Sequence, residues 1–327
     1  MKVVLVTPVY NDWASFNRLL GIIDCQSGLE SVEFELFVIN DGSNIVPPTE
    51  FWSANQYRHI RSIRLINLIS NLGHQRAIAV GLVTAIREPA TEGVIVMDCD
   101  GEDRPEDVPR LIAAATEYPD HIVCAQRSKR SEPLAFKCFY IAYKAIFRIL
   151  AGAPIDFGNF CYIPRVALSG LAYSPSLWNH LAATLVRARL PLVRLTTERG
   201  SRYAGKSTMN VPGLVAHGLS AISVYSDMVL VRSVIGMFGV AVLTVVGLIT
   251  VAAIRLFSDL AIPGWASSVF GSLSIVLLQS IIFTVISAFL LLSARSNKPV
   301  IPMIDAPQFI ASTEQYDLVF LKDVMAL

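Results

Sequence analysis

The chain has 327 residues, with 27 Lys+Arg against 26 Asp+Glu, and its mean hydropathy is +0.52. A near-zero net charge gives no electrostatic case for a nucleic-acid partner, while 53% hydrophobic residues is high for a soluble enzyme. The excess is concentrated after residue 228, and the preceding part reads as an ordinary globular domain. The cysteines, Cys25, Cys99, Cys124, Cys138 and Cys161, are odd in number and lack Cys-x-x-Cys spacing, which argues against a disulfide framework or a zinc site. No cleavable signal peptide is expected, because the apolar start Val3 to Val6 is short and runs into Pro8.

In chain order, Lys2 to Thr7 is a β-branched run and predicts a buried strand. Asn11 is expected to cap a helix whose apolar face is Phe16, Leu19, Leu20 and Ile23. Phe34 to Ile39 predicts a second strand, Ile63 to Leu68 a third, and Gln75 to Ile86 a helix. Val94 to Met97 predicts a fourth strand, Pro105 opens a helix over Glu106 to Glu117, and Ile122 to Ala125 predicts a fifth strand. Strands alternating with helices imply an α/β domain with a mostly parallel sheet and right-handed crossovers. Ligands bind such sheets outside the carboxyl ends of the strands. Polar clusters fall at those ends: Thr7 to Asp12, Asp41 to Ser43, Asn71 to Arg76, and Asp98 to Asp103.

Met97-Asp-Cys-Asp-Gly-Glu-Asp103 places four acids in six positions after a hydrophobic strand. Adjacent carboxylates repel, and a divalent cation resolves that; Mg2+ or Mn2+ suits carboxylate, phosphate and water oxygens. The ion would hold a diphosphate and neutralise it as it leaves. The plain alternative is a solvated acidic turn, with Asp103 serving as a helix cap.

Two charge-free runs follow. The first, 233–254, has about 22 residues, which at about 1.5 Å each reach about 33 Å, enough for a hydrocarbon core of about 30 Å. The second lies within 267–294. Both are expected to be transmembrane helices, the alternative being two buried core helices. A connector, 255–266, holds Asp259 and the Pro263-Gly264-Trp265 turn. Arg232, Arg295 and Lys298 flank the outer ends, which places both termini in the cytoplasm by charge bias. The expected organisation is a catalytic domain over 1–210, a juxtamembrane amphipathic helix over 211–232, the hairpin, and a cytoplasmic tail over 295–327. Phe136 to Leu150 reads either as a second interfacial segment or as core.

The motifs together resemble glycosyltransferase family 2, and within it the polyisoprenyl-phosphate hexose synthases. Thr7-Pro-Val-Tyr-Asn-Asp12 is similar to the family's Pro-x-Tyr-Asn-Glu, and Ile39-Asn-Asp-Gly-Ser43 to its Asp-Asp-Gly-Ser. Asn71-Leu-Gly-His-Gln-Arg-Ala77 resembles its Asn-x-Gly loop, and Asp98-Cys-Asp-Gly-Glu-Asp-Arg-Pro-Glu106 its Asp-Ala-Asp-Leu-Gln-x-x-Pro-Glu. Gly158-Asn-Phe160 sits where Gly-Asp-Phe is common, and Arg202-Tyr-Ala-Gly-Lys-Ser207 resembles Arg-x-Ala-Gly-x-Ser. The order of the six motifs, followed by two spans, carries the likeness. The sequence departs from the pattern at Asp12, Asn40, Glu102 and Asn159.

The resemblance implies a GT-A fold, Rossmann-like, followed by a two-helix transmembrane hairpin. It implies inverting transfer of one hexose, from a UDP-glucose-like donor or GDP-mannose, to a polyprenyl phosphate at the cytoplasmic face of the plasma or inner membrane. It assigns Pro8, Tyr10, Asp12, Asp41, Gly42, Ser43, Asn71 and Gly73 to the nucleotide. It assigns Asp98, Asp100 and Glu102 to the metal and diphosphate, with Asp98, Asp100 and Arg127 catalytic. A processive Gln-x-x-Arg-Trp motif is absent, so one sugar per cycle is expected.

A phosphate acceptor needs cations rather than a base. Arg127, Lys129 and Arg130 follow the fifth strand, and Arg199, Arg202 and Lys206 precede the first span. Arg127, Arg130, Arg202 and Lys206 are the acceptor-phosphate candidates; attraction to anionic lipid headgroups is the alternative, favoured for Lys129. His74, His180 and His217 are isolated in sequence and receive no catalytic role. Two further readings stay open: a hydroxyl acceptor, with Asp103 or a residue after Asp156 as base, and a non-catalytic nucleotide-sugar-binding membrane module. The sequence leaves homo-oligomerisation open.

Overall fold

The structure is a computed structural model, and it describes residues 1–48, 56–127, 152, 155–204, 211–258 and 264–320. Lys129, Arg130, Lys206, the stretch Phe136 to Leu150 and the Asp259 end of the connector lie outside the described residues. Two compact units emerge. Among the described residues, those within 1–127, 155–224 and 300–320 form one, and 152, 225–258 and 264–299 form the other.

The first unit is built on an eight-stranded sheet. Its strands are β1 (Lys2–Val9), β2 (Glu33–Asn40), β4 (Ile60–Leu68), β5 (Gly93–Val96), β6 (Ile122–Arg127), β7 (Cys161–Pro164), β8 (Leu192–Thr197) and β9 (Ile310–Asp317). The order is β8-β6-β7-β5-β1-β2-β4-β9. Two-residue segments, β3 (Gln56–Tyr57) and β10 (Val319–Phe320), form a separate parallel pair. β1 pairs in parallel with β2 and β5, β2 with β4, and β6 with β8; only β7 and β9 run antiparallel to their neighbours. Because β7 is antiparallel to both β5 and β6, those two share a direction. The carboxyl ends of β1, β2, β4, β5, β6 and β8 therefore lie along one edge.

Alternation along β1 decides the layering. Val3 and Leu5 enter one core with Phe16, Leu19, Leu20, Ile23 and Leu111, from α1 (Trp13–Asp24) and α3 (Val108–Glu117). Val4 and Val6 enter the other, with Ile78, Leu82, Leu168 and Leu181 from α2 (His74–Ile86), α4 (Arg165–Ala172) and α5 (Leu181–Arg187). Successive strand side chains point to opposite faces, so a sheet covered on both sides needs a continuous apolar run. α6 (Val211–Ser223) closes this stretch of chain.

The second unit contains α7 (Ser226–Phe257) and α8 (Trp265–Ser296), 32 residues each and apolar enough to cross a membrane. They pack along one another. The buried residues are small or polar, Thr244 and Val251 on α7 and Ser280 and Ser287 on α8. The exposed ones include Phe238, Leu243, Leu256 and Phe289. Apolar side chains outward and small ones inward is the distribution expected of helices solvated by lipid.

Two sequence expectations change here. The juxtamembrane helix does not run unbroken over 211–232: α6 ends at Ser223 and α7 starts at Ser226. The tail is not a free extension. β9 pairs antiparallel with β4, from Ser62↔Asp317 to Leu68↔Ile310. Phe309, just before it, stacks against buried Trp178 with ring centroids 5.2 Å apart, and its carbonyl accepts a 3.0 Å bond from the Ile69 amide. The ladder satisfies backbone groups that an open sheet edge would leave unpaired.

Phe309→Ala removes that anchor. A half-buried aromatic lost to alanine costs about 2 kcal/mol, below the range for fully buried phenylalanine. The detergent-solubilised protein is expected to melt roughly 4–8 °C lower in a thermal-shift assay. An unchanged melting temperature would show that the tail does not support the sheet.

Candidate active site

The polar clusters at the strand ends converge on the carboxyl edge of the sheet. At the end of β1, Asn11 takes a left-handed backbone, φ 56°, which Asn tolerates better than most residues. Its Oδ1 accepts from the Asn44 and Ile45 amides, both at 3.1 Å, and its own amide donates to Ser43 Oγ at 3.0 Å. It therefore ties two loops together and does not cap α1; Asp12 precedes that helix, with no side-chain cap bond. Pro8 lies one residue before the end of β1, and Tyr10 is exposed beyond it.

Asp41 is buried after β2. It accepts from the Leu72 and Gly73 amides at 2.7 and 3.1 Å, fixing the loop that opens α2. Burial raises its pKa, while those two bonds and His74 oppose the rise. Gly42 is required there. Its φ is +68°, and a Cβ would meet the Asn71 amide nitrogen at 2.5 Å. Asn40, an acid in the family pattern, donates to Asn67 Oδ1 at 2.8 Å and accepts from the Ser43 amide at 3.0 Å. Asn67 then donates to Ser312 and Glu314 on β9. An aspartate at position 40 has no proton for the first of these bonds.

After β5 comes the acidic loop, where each acid has a distinct environment. Asp103 is fully buried; its Oδ2 accepts from the Asp98 amide at 3.0 Å and its Oδ1 from Arg127 at 2.8 Å. Its pKa is pushed up to about 6 by burial, Asp98 adding and Arg127 opposing. Asp103 thus braces the loop from inside and is not a helix cap. Asp100 Oδ1 accepts from the Glu102 amide at 2.8 Å, and its Oδ2 pairs with Arg202 at 2.8 Å. Burial raises the Asp100 pKa, and Arg202 lowers it. Arg202 also lies 3.6 Å from Asp12 Oδ2. Glu102 pairs with Arg199, and with Arg127 at 3.7 Å.

Sequence reasoning gave His74 no role, yet it opens α2 with Nε2 3.3 Å from Asp98 Oδ1 and 3.1 Å from Asn159 Nδ2. Gln75 Nε2 donates to Asn159 Oδ1 at 3.2 Å, and Gln75 Oε1 accepts from the Leu181 amide at 2.7 Å. The available signal was the position of His74 directly after Asn71-Leu-Gly73, at a strand-end loop.

Among the described residues, no group of three or more His, Cys, Asp or Glu side chains is placed to hold a metal ion. The expected set of Asp98, Asp100 and Glu102 is divided: Asp100 and Glu102 face arginines, and Asp98 faces His74. Asp98 Oδ1 nevertheless fits a cation, being buried without a hydrogen-bond partner. Of the acceptor-phosphate candidates, Arg127 and Arg202 stand at the acidic loop, while Arg130 and Lys206 lie outside the described residues.

Residues 4–153 match the family model described as Glycosyl transferase family 2. The chain is 26% identical over 275 residues to the uncharacterized glycosyltransferase YkcC of Bacillus subtilis (strain 168), covering 80% of each. It is 33% identical over 131 residues to an undecaprenyl-phosphate 4-deoxy-4-formamido-L-arabinose transferase of Proteus mirabilis (strain HI4320), covering 39% of this chain and 38% of that one. Among solved structures it is similar to glucosyl-3-phosphoglycerate synthase from Mycobacterium tuberculosis in complex with Mn2+, UDP-glucose and phosphoglyceric acid. That likeness has a TM-score of 0.46 at 15% identity, over 71% of this chain and 79% of that chain. It is similar also to S. aureus TarS 1-349 in complex with UDP-GlcNAc, with a TM-score of 0.44 at 14% identity, over 86% of this chain and 72% of that chain. The family match is thus confined to residues 4–153, which reach from β1 through β6 and include the acidic loop.

Proposed function

We propose that the protein transfers one hexose from a nucleotide sugar to a polyprenyl phosphate at the cytoplasmic membrane face, with inversion and with a divalent ion on the donor diphosphate. The observation that carries this reading is the interleaving of Asp98, Asp100, Glu102 and Asp103 with Arg127, Arg199 and Arg202 at one sheet edge, in a chain that continues into two 32-residue apolar helices. The relative from Proteus mirabilis, named for undecaprenyl phosphate, supports the acceptor class.

Asp41 and the Asn71–Gly73 loop bind the nucleoside side, with Pro8, Tyr10, Asp12, Gly42 and Ser43 around it. Asp98 and Asp100 would hold Mg2+ or Mn2+, which neutralises the leaving diphosphate. Arg202 and Arg127 orient the acceptor phosphate, whose oxygen is already ionised near neutral pH and attacks without a general base. Arg202 bridges Asp12 and Asp100, so a phosphate arriving there exchanges one anionic partner for another. Asp103 keeps Arg127 and the acidic loop in place.

Connectivity supports the membrane topology. Elements of the same sheet precede α7 and follow α8, so a membrane crossed by both helices leaves the two flanks on one side. That side is the cytoplasm, where nucleotide sugars are made and where Arg232, Arg295 and Lys298 belong.

Three measurements test this reading. Radiolabelled nucleotide sugar and polyprenyl phosphate should give an organic-extractable, mild-acid-labile product. Asp100→Asn or excess chelator should reduce it by roughly a hundredfold or more, since metal stabilisation of this kind is worth several kcal/mol. Full activity in either case would remove the metal from the mechanism. Arg202→Ala should lower acceptor kcat/KM by roughly tenfold to a hundredfold, from loss of a charge-assisted contact worth about 1.5–3 kcal/mol. Arg202 is the cleaner test, because Arg127→Ala strands the buried Asp103 carboxylate. A collapse in donor affinity with acceptor affinity intact would favour a hydroxyl acceptor. Finally, a cysteine at position 259 should react with an impermeant thiol reagent from outside intact cells, and one at position 315 should not. The opposite pattern would refute the cytoplasmic placement.

A further inference from the structure

Asn40 on β2, Asn67 on β4 and Ser312 on β9 are register partners, so their side chains form one row across three strands. The row has a fixed direction. At one end the Ser43 amide, which can only donate, donates to Asn40 Oδ1 at 3.0 Å. Asn40 therefore presents its Nδ2 to Asn67 Oδ1, at 2.8 Å. Asn67 in turn presents its own Nδ2 to Ser312 Oγ and Glu314 Oε1, at 3.0 and 3.1 Å. The far end is a carboxylate that accepts at both oxygens, since Glu314 Oε2 takes the Tyr316 hydroxyl at 2.5 Å.

The line also extends the other way, because the Asn11 amide donates to Ser43 Oγ at 3.0 Å. Every hydrogen bond from Asn11 to the tail thus points toward Glu314 and the line ends on a negative charge. In such a chain successive bonds polarise and strengthen one another. None of these bonds involves Arg127, Arg199 or Arg202.

We propose that Glu314 is a positioning residue for the nucleotide: through Asn67 and Asn40 it fixes the loop of Asp41, Gly42 and Ser43, and through Ser43 it fixes Asn11. This rests on the reading that gives those loops to the nucleotide, and adds to it a group on the returning tail. The direction of the line makes the proposal specific. Asn40→Asp keeps the bond from Ser43 but has no proton for Asn67 Oδ1. Asn67 must then turn over, which puts its Oδ1 against Glu314. Ser312 can answer by rotating its hydroxyl, but the Glu314 carboxylate has no proton to offer. Glu314→Gln removes that conflict, because an amide can turn its NH2 toward Asn67.

The test measures UDP and GDP affinity of the full chain in detergent with Mn2+ present. Asn40→Asp should weaken the nucleotide that the wild type binds by about tenfold. The loss should persist in about 0.5 M NaCl, which screens simple repulsion between charges. Adding Glu314→Gln should restore most of that affinity, while Glu314→Gln in the wild-type background should not improve it. Asn67→Ala cuts the row; it should weaken binding several-fold, and Glu314→Gln should restore nothing to it. Donor KM should follow these changes while acceptor KM stays constant. Circular dichroism checks folding, and if Asn40→Asp does not fold, the Asn67→Ala variants decide. No loss in the position 40 or 67 variants, a loss in Asn40→Asp that Glu314→Gln leaves in place, or an equal gain from Glu314→Gln in the wild type overturns the proposal and leaves the nucleotide reading standing. Binding of neither UDP nor GDP by the wild type overturns both.

Discussion

Like charge gathered at one edge is the constraint around which this site is organised. A parallel sheet brings its carboxyl ends together, and here that puts Asp12, Asp41, Asp98, Asp100, Glu102 and Asp103 on one edge. Left to themselves these carboxylates would raise each other's pKa and loosen the loops that carry them. Each is answered separately. Asp41 receives two backbone amides, Asp103 receives an amide and Arg127, Asp100 and Asp12 share Arg202, and Glu102 receives Arg199. Asp98 Oδ1 is the exception, and it faces a histidine nitrogen.

The answering cations come from far along the chain. Arg127 ends β6, while Arg199 and Arg202 follow β8, some of them about 100 residues beyond the acids they neutralise. The contact is close: Gly101 has φ +91° and its Cβ would meet the Ser201 carbonyl at 2.8 Å, while the Tyr203 amide bonds the Asp100 carbonyl at 2.8 Å. The segment after β8 is therefore a wall of the site, in position to sense what the acidic loop binds.

Much of the sheet was legible in sequence because it is buried on both faces. β1 is an apolar run, β2 has one in Leu36 to Ile39, β4 keeps Ile60, Ile63, Leu65, Ile66 and Leu68 buried, and α1 shows its face at helical spacing. β9 was not legible. Ile310-Ala-Ser-Thr-Glu-Gln-Tyr-Asp317 is polar and mostly exposed, and it forms a strand because β4 offers a free edge, which is a tertiary cause. The site divides in the same way. Residues in motifs at strand ends could be placed from sequence, since the fold dictates where strand ends go. Asn11 as a bridge, Asp103 as a brace and His74 against Asp98 depend on contacts between separate loops, and no local pattern encodes them. Asn40 is intelligible only through Asn67 and the β9 side chains beyond it.

The return of β9 to β4 has a consequence for how the protein comes into being. Leu68 and Ile310 are register partners, so the β4 edge waits for more than 240 further residues to be synthesised before its partner exists. Both long apolar helices are made in that interval. An open edge strand is a template for pairing with other chains, and contacts this distant in sequence form slowly. The sheet that bears the site is thus finished last, after the hairpin has left the ribosome. A chain that stops short of β9 is left with an incomplete sheet and an unprotected β4 edge.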